Sequence, residues 1–396
     1  MAGISMEEYV NAYYGGTLGI SKRYGISKSD DNVDTTGLAE GLNTMFGAKV
    51  YNQLNTKSEV FKLLKKEPWT QSGFRALIDR HTTTAGVAES GAFPNTDHPE
   101  LKEVTLTLKE IVTPWQMSSK AELLSEADDG LGNLAAFMRK ENAEAHAYYI
   151  DDMLTKSVEL DSDGSASGAG AGTAGVNMES LDRVTATLAY MTDPQNPSGG
   201  ALPAAVDMYG LDISNSTPGA SDRGDWFDAG YTHFTDAGTN NALELDDLDT
   251  GIAALLENGA NYNSLIMLTG YDTYQNLKAL MQSTTGAAFR YDLQGAGAAN
   301  MNGVTGEAGL NFDSRVGAYD GIPIFLSQHV PKDDAARIYL LDMDNLAIRV
   351  AAPTTYVDNT NLAIRQVLSR EYAFITAGEL VAYRRDTSGS IRDLTA

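Results

Sequence analysis

The stretch that decides the fold runs from Phe74 to Lys156, and its central segment is Lys102-Glu-Val-Thr-Leu-Thr-Leu-Lys-Glu-Ile-Val112. Within this segment Val104, Leu106 and Leu108 alternate with polar residues. Successive side chains of a strand point to opposite faces, so a period of two residues predicts an extended segment with one buried face.

A shorter extended segment, Phe74–Arg80, precedes it, and the loop Thr82–Pro99 between the two is rich in Gly, Pro, Asn and Ser. These residue types favour turns. The sequence therefore predicts a two-stranded ribbon with a polar tip. Because a two-stranded ribbon is only marginally stable alone in water, we expect it to rest on another chain.

A long helix is predicted directly afterwards, from Asp129 to Lys156. Acidic residues at its start and Lys156 at its end suit the helix dipole. At about 1.5 Å per residue the helix would be roughly 40 Å long. Residues three or four positions apart trace its apolar face, and they are Leu131, Leu134, Met138, Asn142, Ala145, Tyr149 and Met153.

The composition indicates an acidic, cysteine-free chain of 396 residues with a formal net charge of −24. Such a surface repels nucleic acid and anionic membranes at low salt. It fits a halophilic setting or an ordinary acidic soluble protein. The absence of cysteine excludes disulfides and thiolate chemistry. The first residues do not resemble a signal peptide and no apolar run reaches the about 20 residues of a membrane span, so we expect a soluble protein made in the cytoplasm.

Outside the central stretch, helices and strands are mixed without repeated βαβ units, which indicates an α+β fold. Residues 1–48 form a polar arm and Gly164–Gly175 a flexible linker. The turn-rich segment Asp193–Asn241 is interpreted as an insertion. Predicted helices are Met178–Met191, Leu245–Glu257 and Tyr271–Gln282, and predicted strands are Ser264–Leu268, Asp313–Phe325, Ala336–Val350, Leu362–Ile375 and Glu379–Arg385.

No motif predicts catalysis, so the chain is not expected to be an enzyme. None of the five histidines pairs with another at metal-ligand spacing, and His146 is predicted to lie on a helix surface. The segment Asp161–Gly164 begins like a calcium loop but lacks the later ligands. Arg223-Gly224-Asp225 matches an adhesion tripeptide that occurs often by chance. The basic run Lys62–Lys66 is interpreted as a solvated helix face rather than a DNA site.

The order of these parts resembles the major capsid protein of tailed double-stranded DNA viruses of bacteria or archaea, with the HK97-type fold. Four stretches carry the resemblance across roughly residues 70–390. They are the hairpin Arg80–Lys120 leading into the long helix, the strand and helix Asn263–Leu280, the strand and turn Ala318–Pro331, and the closing strands Ile364–Arg385.

The resemblance implies a shell subunit that self-assembles into pentamers and hexamers of an icosahedral capsid around double-stranded DNA. Portal, scaffold and decoration proteins would be further partners, and assembly would take place in the host cytoplasm. The acidic balance would suit a virus of a salt-loving archaeon or bacterium. The implied domains are an N-terminal arm 1–70, an extended loop 71–118, a peripheral domain 119–175 and 356–396 with a spine helix 129–156, and an axial domain 176–355 with the insertion 193–241.

Two groups of residues are predicted to make contacts in that shell. The loop tip would lie over a neighbouring subunit, and it consists of Gly86, Glu89, Gly91, Phe93 and Pro94. A basic patch of Lys62, Lys65 and Lys66 would face the packaged DNA or an acidic edge of a neighbour. Two alternatives remain open: an encapsulin-type nanocompartment, which shares the fold, and a cell-surface binding protein that uses Arg223–Asp225.

Overall fold

The structure is a computed structural model. It describes residues 59–79, 85–89, 91–93, 98–118, 134–157, 177–192, 207–209, 211–212, 226–234, 242–283, 315–332, 336–358 and 369–394. The helices are α1 (Val60–Leu63), α2 (Leu134–Leu154), α3 (Leu181–Val184), α4 (Leu188–Thr192), α5 (Leu245–Glu257) and α6 (Tyr271–Ser283). The first strands are β1 (Lys65–Pro68), β2 (Gly73–Asp79), β3 (Glu100–Thr105), β4 (Lys109–Ser118), β5 (Asp207–Met208), β6 (Leu211–Asp212) and β7 (Tyr231–His233). The others are β8 (Leu265–Thr269), β9 (Arg315–Tyr319), β10 (Ile322–Leu326), β11 (Ala336–Asp342), β12 (Leu346–Asp358), β13 (Ser369–Ala382) and β14 (Gly389–Leu394).

The chain folds into two compact units. The first comprises Met1–Lys57, Ile111–Tyr148 and Ala352–Thr376. The second comprises Ser58–Glu110, Tyr149–Ala351 and Ala377–Ala396. Among the described residues, no helix is long and apolar enough to cross a membrane.

A six-stranded sheet forms the centre of the second unit, in the order β7-β14-β11-β8-β10-β9. Strand β8 pairs parallel with β10 and antiparallel with β11, and β14 pairs antiparallel with β11 and parallel with β7. Strands β8 and β11 are buried along their whole length. The apolar run of β8, Leu-Ile-Met-Leu, is typical of a strand covered on both faces.

Helices α5 and α6 cover one face of this sheet. The bounds predicted for α5 are confirmed, because a capping box between Glu244 and Asp247 marks its start. The predicted helix Tyr271–Gln282 is confirmed as α6, one residue longer. The apolar side chains that pack between the helices and the strands include Leu248, Ile252, Leu255, Leu277, Met267, Ile324, Ile338, Leu340 and Ile391.

The opposite face of the sheet carries a buried charge network around Asp182. Its carboxylate contacts Arg337 Nη1 at 2.5 Å and Arg392 Nη1 at 3.1 Å, and Tyr339 donates its hydroxyl to the same group at 2.9 Å. All four side chains are almost completely buried. One buried carboxylate therefore forms ion pairs with two buried guanidinium groups.

The helix predicted over Met178–Met191 is wrong as a single element, because the chain forms the two short helices α3 and α4 instead. Arg385 provides the physical reason. Its guanidinium donates to the carbonyl oxygens of Arg183, Val184 and Ala186, which would otherwise accept helical N–H groups. Burial lowers the pKa of Arg385 to about 10.

The segment interpreted as an insertion is partly built into the second unit. Strand β7 pairs with β14, and Phe227 is 1% exposed. Tyr209 donates to Leu380 O at 2.7 Å. Residues 207–209 and 226–234 of this segment therefore pack on the second unit, and the interpretation of 193–241 as an insertion stays a prediction. Most other residues of this segment, including the Arg223–Asp225 tripeptide, lie outside the described residues.

Residues 59–68 are also part of the second unit. The carboxylate of Asp151 accepts the backbone N–H groups of Glu59, Val60 and Phe61, the last at 2.7 Å. Strand β1 then pairs parallel with β12. The arm predicted to end at residue 70 therefore meets the folded body earlier, and its first 58 residues lie outside the described residues.

The first unit packs helix α2 against strands β4, β13 and β12, which are neighbours in a sheet whose fourth strand is β1. Three aromatic rings cross these strands. Trp115 stacks on Tyr372 at 4.3 Å and Tyr372 on Tyr356 at 5.7 Å, and the guanidinium of Arg139 covers Tyr356 at 4.3 Å. The predicted helix Asp129–Lys156 is confirmed for Leu134–Leu154, and its first five residues lie outside the described residues.

His146 is 1% exposed, so its predicted place on a helix surface is wrong. Its ring nitrogens lie 2.7 Å from the hydroxyls of Thr113 and Thr376. Burial lowers the pKa of His146. Of the predicted helix face, Met138 and Met153 pack inward as predicted, whereas Ala145 and Tyr149 are exposed and His146 is buried instead.

Both edges of the four-stranded sheet carry features that oppose further pairing. Strand β1 is four residues long and contains Lys65, Lys66 and Pro68. Strand β4 has the exposed Pro114 near its middle. Proline has no N–H to donate, and short strands with lysine protect an edge from pairing with another chain.

The predicted closing pair, Leu362–Ile375 and Glu379–Arg385, is wrong. The structure has one strand, β13, across most of that region, followed by the unpredicted β14. Gly378 explains the continuity: a Cβ there would lie 2.6 Å from Arg349 O, so only glycine lets the strand pass this close to β12.

Candidate assembly site

Strands β2 and β3 form an antiparallel hairpin in the second unit, as the sequence predicts. Phe74 is paired with Val104, and both side chains point to the same face. Val104 is 2% exposed and Phe74 packs edge-on against Tyr383 at 5.3 Å. The hairpin therefore rests partly on its own chain, whereas the sequence led us to expect that it rests on another chain.

The other face of the hairpin is exposed and partly apolar. Leu77 and Leu101 are direct cross-strand partners, and their exposed fractions are 54% and 58%. Beside them Arg75 and Glu103 form an exposed ion pair of 3.0 Å. The sequence pattern did not identify the two leucines, because it does not show which face of a ribbon its own body covers.

The single second strand predicted over Lys102–Val112 is divided in the structure. Strand β3 ends at Thr105, and β4 begins at Lys109 in a different sheet. Leu106 is 3% exposed, whereas Leu108 is 42% exposed. The alternation of Val104, Leu106 and Leu108 therefore does not continue through the break.

The described part of the loop tip is exposed, including Gly86, Glu89, Gly91 and Phe93. Phe93 has the largest exposed fraction of the large apolar residues described, 91%. Pro94 lies outside the described residues. The tip thus presents an aromatic side chain that is almost fully exposed within the described part of the chain.

The first unit has an apolar sheet face opposite α2. Strand alternation places Val112 and Val357 there, with exposed fractions of 48% and 37%. Ile375 is half-buried on the same face, and Gln116 donates to Glu371 beside it at 3.3 Å.

The three lysines of the predicted basic patch are exposed, as required of a contact surface. Lys65 pairs with Glu67 at 2.9 Å, and Lys66 lies 4.7 Å above the ring of Phe61. The direction in which Lys62, Lys65 and Lys66 face within a shell stays a prediction.

A second cluster, inside the second unit, joins two buried carboxylates. Glu379 accepts the backbone N–H groups of Glu179 and Leu380 at 2.7 and 3.0 Å. Glu179 lies 3.3 Å from Arg183. Burial, and then the charge of Glu179, raise the pKa of Glu379 well above its ordinary value. The positive charge of Lys109 lowers the pKa of Glu379 and offsets part of this rise.

We predict that Glu379→Gln removes part of the pH dependence of stability. Because the pKa of Glu379 is raised in the folded chain, its contribution is fully present below the unfolded value near 4.5 and is lost as pH rises through the folded value. Glutamine keeps an oxygen acceptor and removes the charge. Denaturant unfolding between pH 5 and pH 8 should show that the variant gains stability relative to the parent as pH rises. Identical pH profiles would contradict this account.

The charged groups of the described residues include no arrangement of three or more His, Asp or Glu side chains able to hold a metal ion. The site offers exposed apolar side chains, an exposed ion pair and lysines. This chemistry is suited to contacts between proteins.

Comparison with known families identifies the chain. The family model for the SU10 major capsid protein matches residues 182–394, more than half of the 396 residues. The chain belongs to this family. It is a major capsid protein, and its family implies a structural role in a viral shell, within the virion. The matched region begins at Asp182, the acid of the buried charge network, and ends at Leu394, the end of β14.

Solved structures show the same fold. The cyanophage A-1(L) capsid asymmetric unit has 16% identity and a TM-score of 0.57, over 88% of this chain and 96% of that chain. The capsid of a native GTA particle has 13% identity and a TM-score of 0.51, over 88% and 93% of the two chains. Gordonia phage Cozz has 11% identity and a TM-score of 0.51, over 88% and 90%. The predicted α+β fold of the HK97 type is thereby confirmed. A search of curated proteins returns no match.

Proposed function

We propose that the chain assembles into pentamers and hexamers of a closed icosahedral shell around double-stranded DNA, and that the β2–β3 hairpin joins neighbouring subunits. The observation that carries the proposal is Phe93, 91% exposed at the end of a hairpin whose outer face presents Leu77 and Leu101. The family match favours this viral function over an encapsulin, which has the same fold.

The apolar face of the first unit, with Val112 and Val357, is the proposed acceptor on the neighbouring copy. The donor and acceptor surfaces differ, so the contact is heterologous and closes into rings. Burial of a large apolar side chain contributes about 1.5–3 kcal/mol. Repeated contacts of this size on several edges of each subunit add up to a stable shell.

The remaining parts follow the domains that the sequence implies. Of the arm predicted over residues 1–70, the part before residue 59 acts as a contact between subunits, and the loop 71–118 contains the hairpin. Residues 119–175 and 356–396 form the peripheral domain, except that β14 belongs with the axial domain 176–355, because it pairs with β11. Lys62, Lys65 and Lys66 face the packaged DNA. Portal, scaffold and decoration proteins complete the particle, which assembles in the host cytoplasm.

The test is a variant with Leu77→Ser, Leu101→Ser and Phe93→Ala, because these changes remove exposed apolar surface without opening a core. We expect soluble subunits with the parental unfolding transition and no closed shells. Sedimentation velocity and electron microscopy measure both. The concentration needed for assembly should rise at least about tenfold, as expected for the loss of more than 1.4 kcal/mol per contact.

Leu256→Ser is the matched control, since Leu256 is a surface leucine, 37% exposed on α5, that belongs to neither proposed surface. This control should assemble like the parent. Normal shells from the triple variant would overturn the proposed role of the hairpin.

A further inference from the structure

The hairpin begins at residues 71–73 of the second unit, and Arg349 of β12 binds this base of the hairpin. Its Nη1 donates to Gln71 O at 3.1 Å and to Gly73 O at 3.0 Å. A guanidinium has donors in a fixed planar arrangement, so it can hold two carbonyl groups in one orientation. The first residue of β2 is therefore tied to β12 by a side chain.

Arg349 is itself held in place by Tyr383. Its Nε donates to the Tyr383 hydroxyl at 3.2 Å, and its guanidinium lies 5.4 Å from the ring centre. Tyr383 in turn donates to Glu67 at 2.5 Å. Phe74 packs edge-on against the ring of Tyr383. The junction, the arginine and the ring form one connected group, the Arg349 clamp.

Several backbone segments lie very close together around the Arg349 clamp. A Cβ on Gly73 would lie 2.2 Å from Val104 O, so β2 and β3 approach as closely as glycine allows. Leu106 N donates to Ser72 O at 2.8 Å, and Trp69 N donates to Val350 O at 3.0 Å. The strands are thus held together at their base, and their direction relative to β12 is set there.

The length of the hairpin makes this direction important. The seven residues of β2 span about 23 Å at about 3.3 Å per residue. A swing of about 10° at the base therefore moves the far end by about 4 Å. A displacement of that size is enough to separate an apolar side chain from its pocket.

We infer that Arg349 is a positioning residue for assembly: it fixes the direction in which the hairpin leaves the body, so that the tip meets the neighbouring subunit. This inference rests on the proposed function of the hairpin. In this proposal Arg349 does not contact the neighbouring subunit. It acts on assembly through the carbonyl groups of Gln71 and Gly73.

The absence of cysteine permits a direct test, because two introduced cysteines are the only labelling sites. Glu89→Cys at the tip and Lys278→Cys on α6 carry spin labels, and pulsed electron resonance measures their distance in unassembled subunits. Arg349→Ala should broaden the distance distribution by at least about 4 Å, the displacement of a 10° swing. It should also slow assembly about tenfold, as expected for the loss of charge-assisted hydrogen bonds.

Arg384→Ala is the matched control. Arg384 lies in the same unit and donates to Asn258 O at 2.8 Å and to Asp386 at 2.8 Å, but it does not contact the hairpin. Its removal should leave the distance distribution and the assembly rate unchanged. Arg349→Lys keeps the charge without the planar arrangement of donors, so it should restore assembly only in part.

If the triple hairpin variant fails to assemble, the proposed function stands. Three results would then overturn the inference about Arg349. They are an unchanged distribution in Arg349→Ala, a broadened distribution with parental assembly, and a lower unfolding midpoint as the only effect. If the triple variant assembles normally, the proposed function fails, and the inference about assembly fails with it.

Discussion

Asp182→Ala is expected to lower the free energy of unfolding of the unassembled subunit by about 3–5 kcal/mol. The carboxylate lies between Arg337 and Arg392, and these three side chains are almost completely buried. Its removal leaves two guanidinium charges in the interior without their acid. Repulsion between the arginines adds to the cost of their desolvation.

Denaturant unfolding in the assembly-defective hairpin background measures this effect on subunits alone. Glu103→Ala is the control, because it removes the acid of an ion pair whose side chains are 72% and 76% exposed. Exposed pairs contribute at most about 1 kcal/mol. A change of similar size in both variants would contradict the role given to Asp182. Arg337→Met with Arg392→Met in the Asp182→Ala variant should recover part of the loss, since the two guanidinium charges that Asp182 contacts are then removed as well.

Tyr372→Ala is expected to cost about 3–5 kcal/mol, the range for removing a large aromatic side chain from a core. Tyr372 is 6% exposed and lies between the rings of Trp115 and Tyr356 in the first unit. Its loss leaves a cavity where two stacking contacts were made. The near-ultraviolet circular dichroism of Trp115 should weaken in parallel, because this ring loses its stacked partner.

Tyr148→Ala provides the comparison for this variant. Tyr148 belongs to the same unit and is 38% exposed, so its truncation should cost less than about 1 kcal/mol. Equal unfolding midpoints for the two tyrosine variants would show that the ring stack does not support the sheet.

Several elements could be predicted from the sequence because their pattern is local. Helix α5 has an amphipathic period and an acidic start, so both of its bounds were predicted. The hairpin and the long helix were also predicted from periodicity alone. In contrast, β14 was missed because it contains Arg392 and Asp393, and charged residues are not expected in a buried strand. Arg392 is buried there because Asp182, which is distant in sequence, binds its guanidinium.

The residues of the candidate assembly site divide in the same way, into those that the sequence predicts and those that only the tertiary structure shows. The loop itself was predicted from its turn residues, whereas the contact of its tip, including Phe93, with a neighbour was implied by the family resemblance and stays a prediction. Leu77 and Leu101 were not identified, because each is an ordinary strand residue until the body covers the opposite face of the ribbon. Arg349 was not identified either, since it is 276 residues from Gly73 in sequence.

The sequence by itself determined an acidic, cysteine-free chain with a hairpin, a long helix and a mixed α and β body, because composition and periodicity are local properties. The role as a shell subunit was implied by the resemblance to a family. Only the tertiary structure decided which residues are buried together. It placed His146 between two threonines, paired Arg337 and Arg392 with Asp182, and set the base of the hairpin on Arg349. Each of these depends on contacts between residues far apart in the chain, and a local pattern does not contain that information.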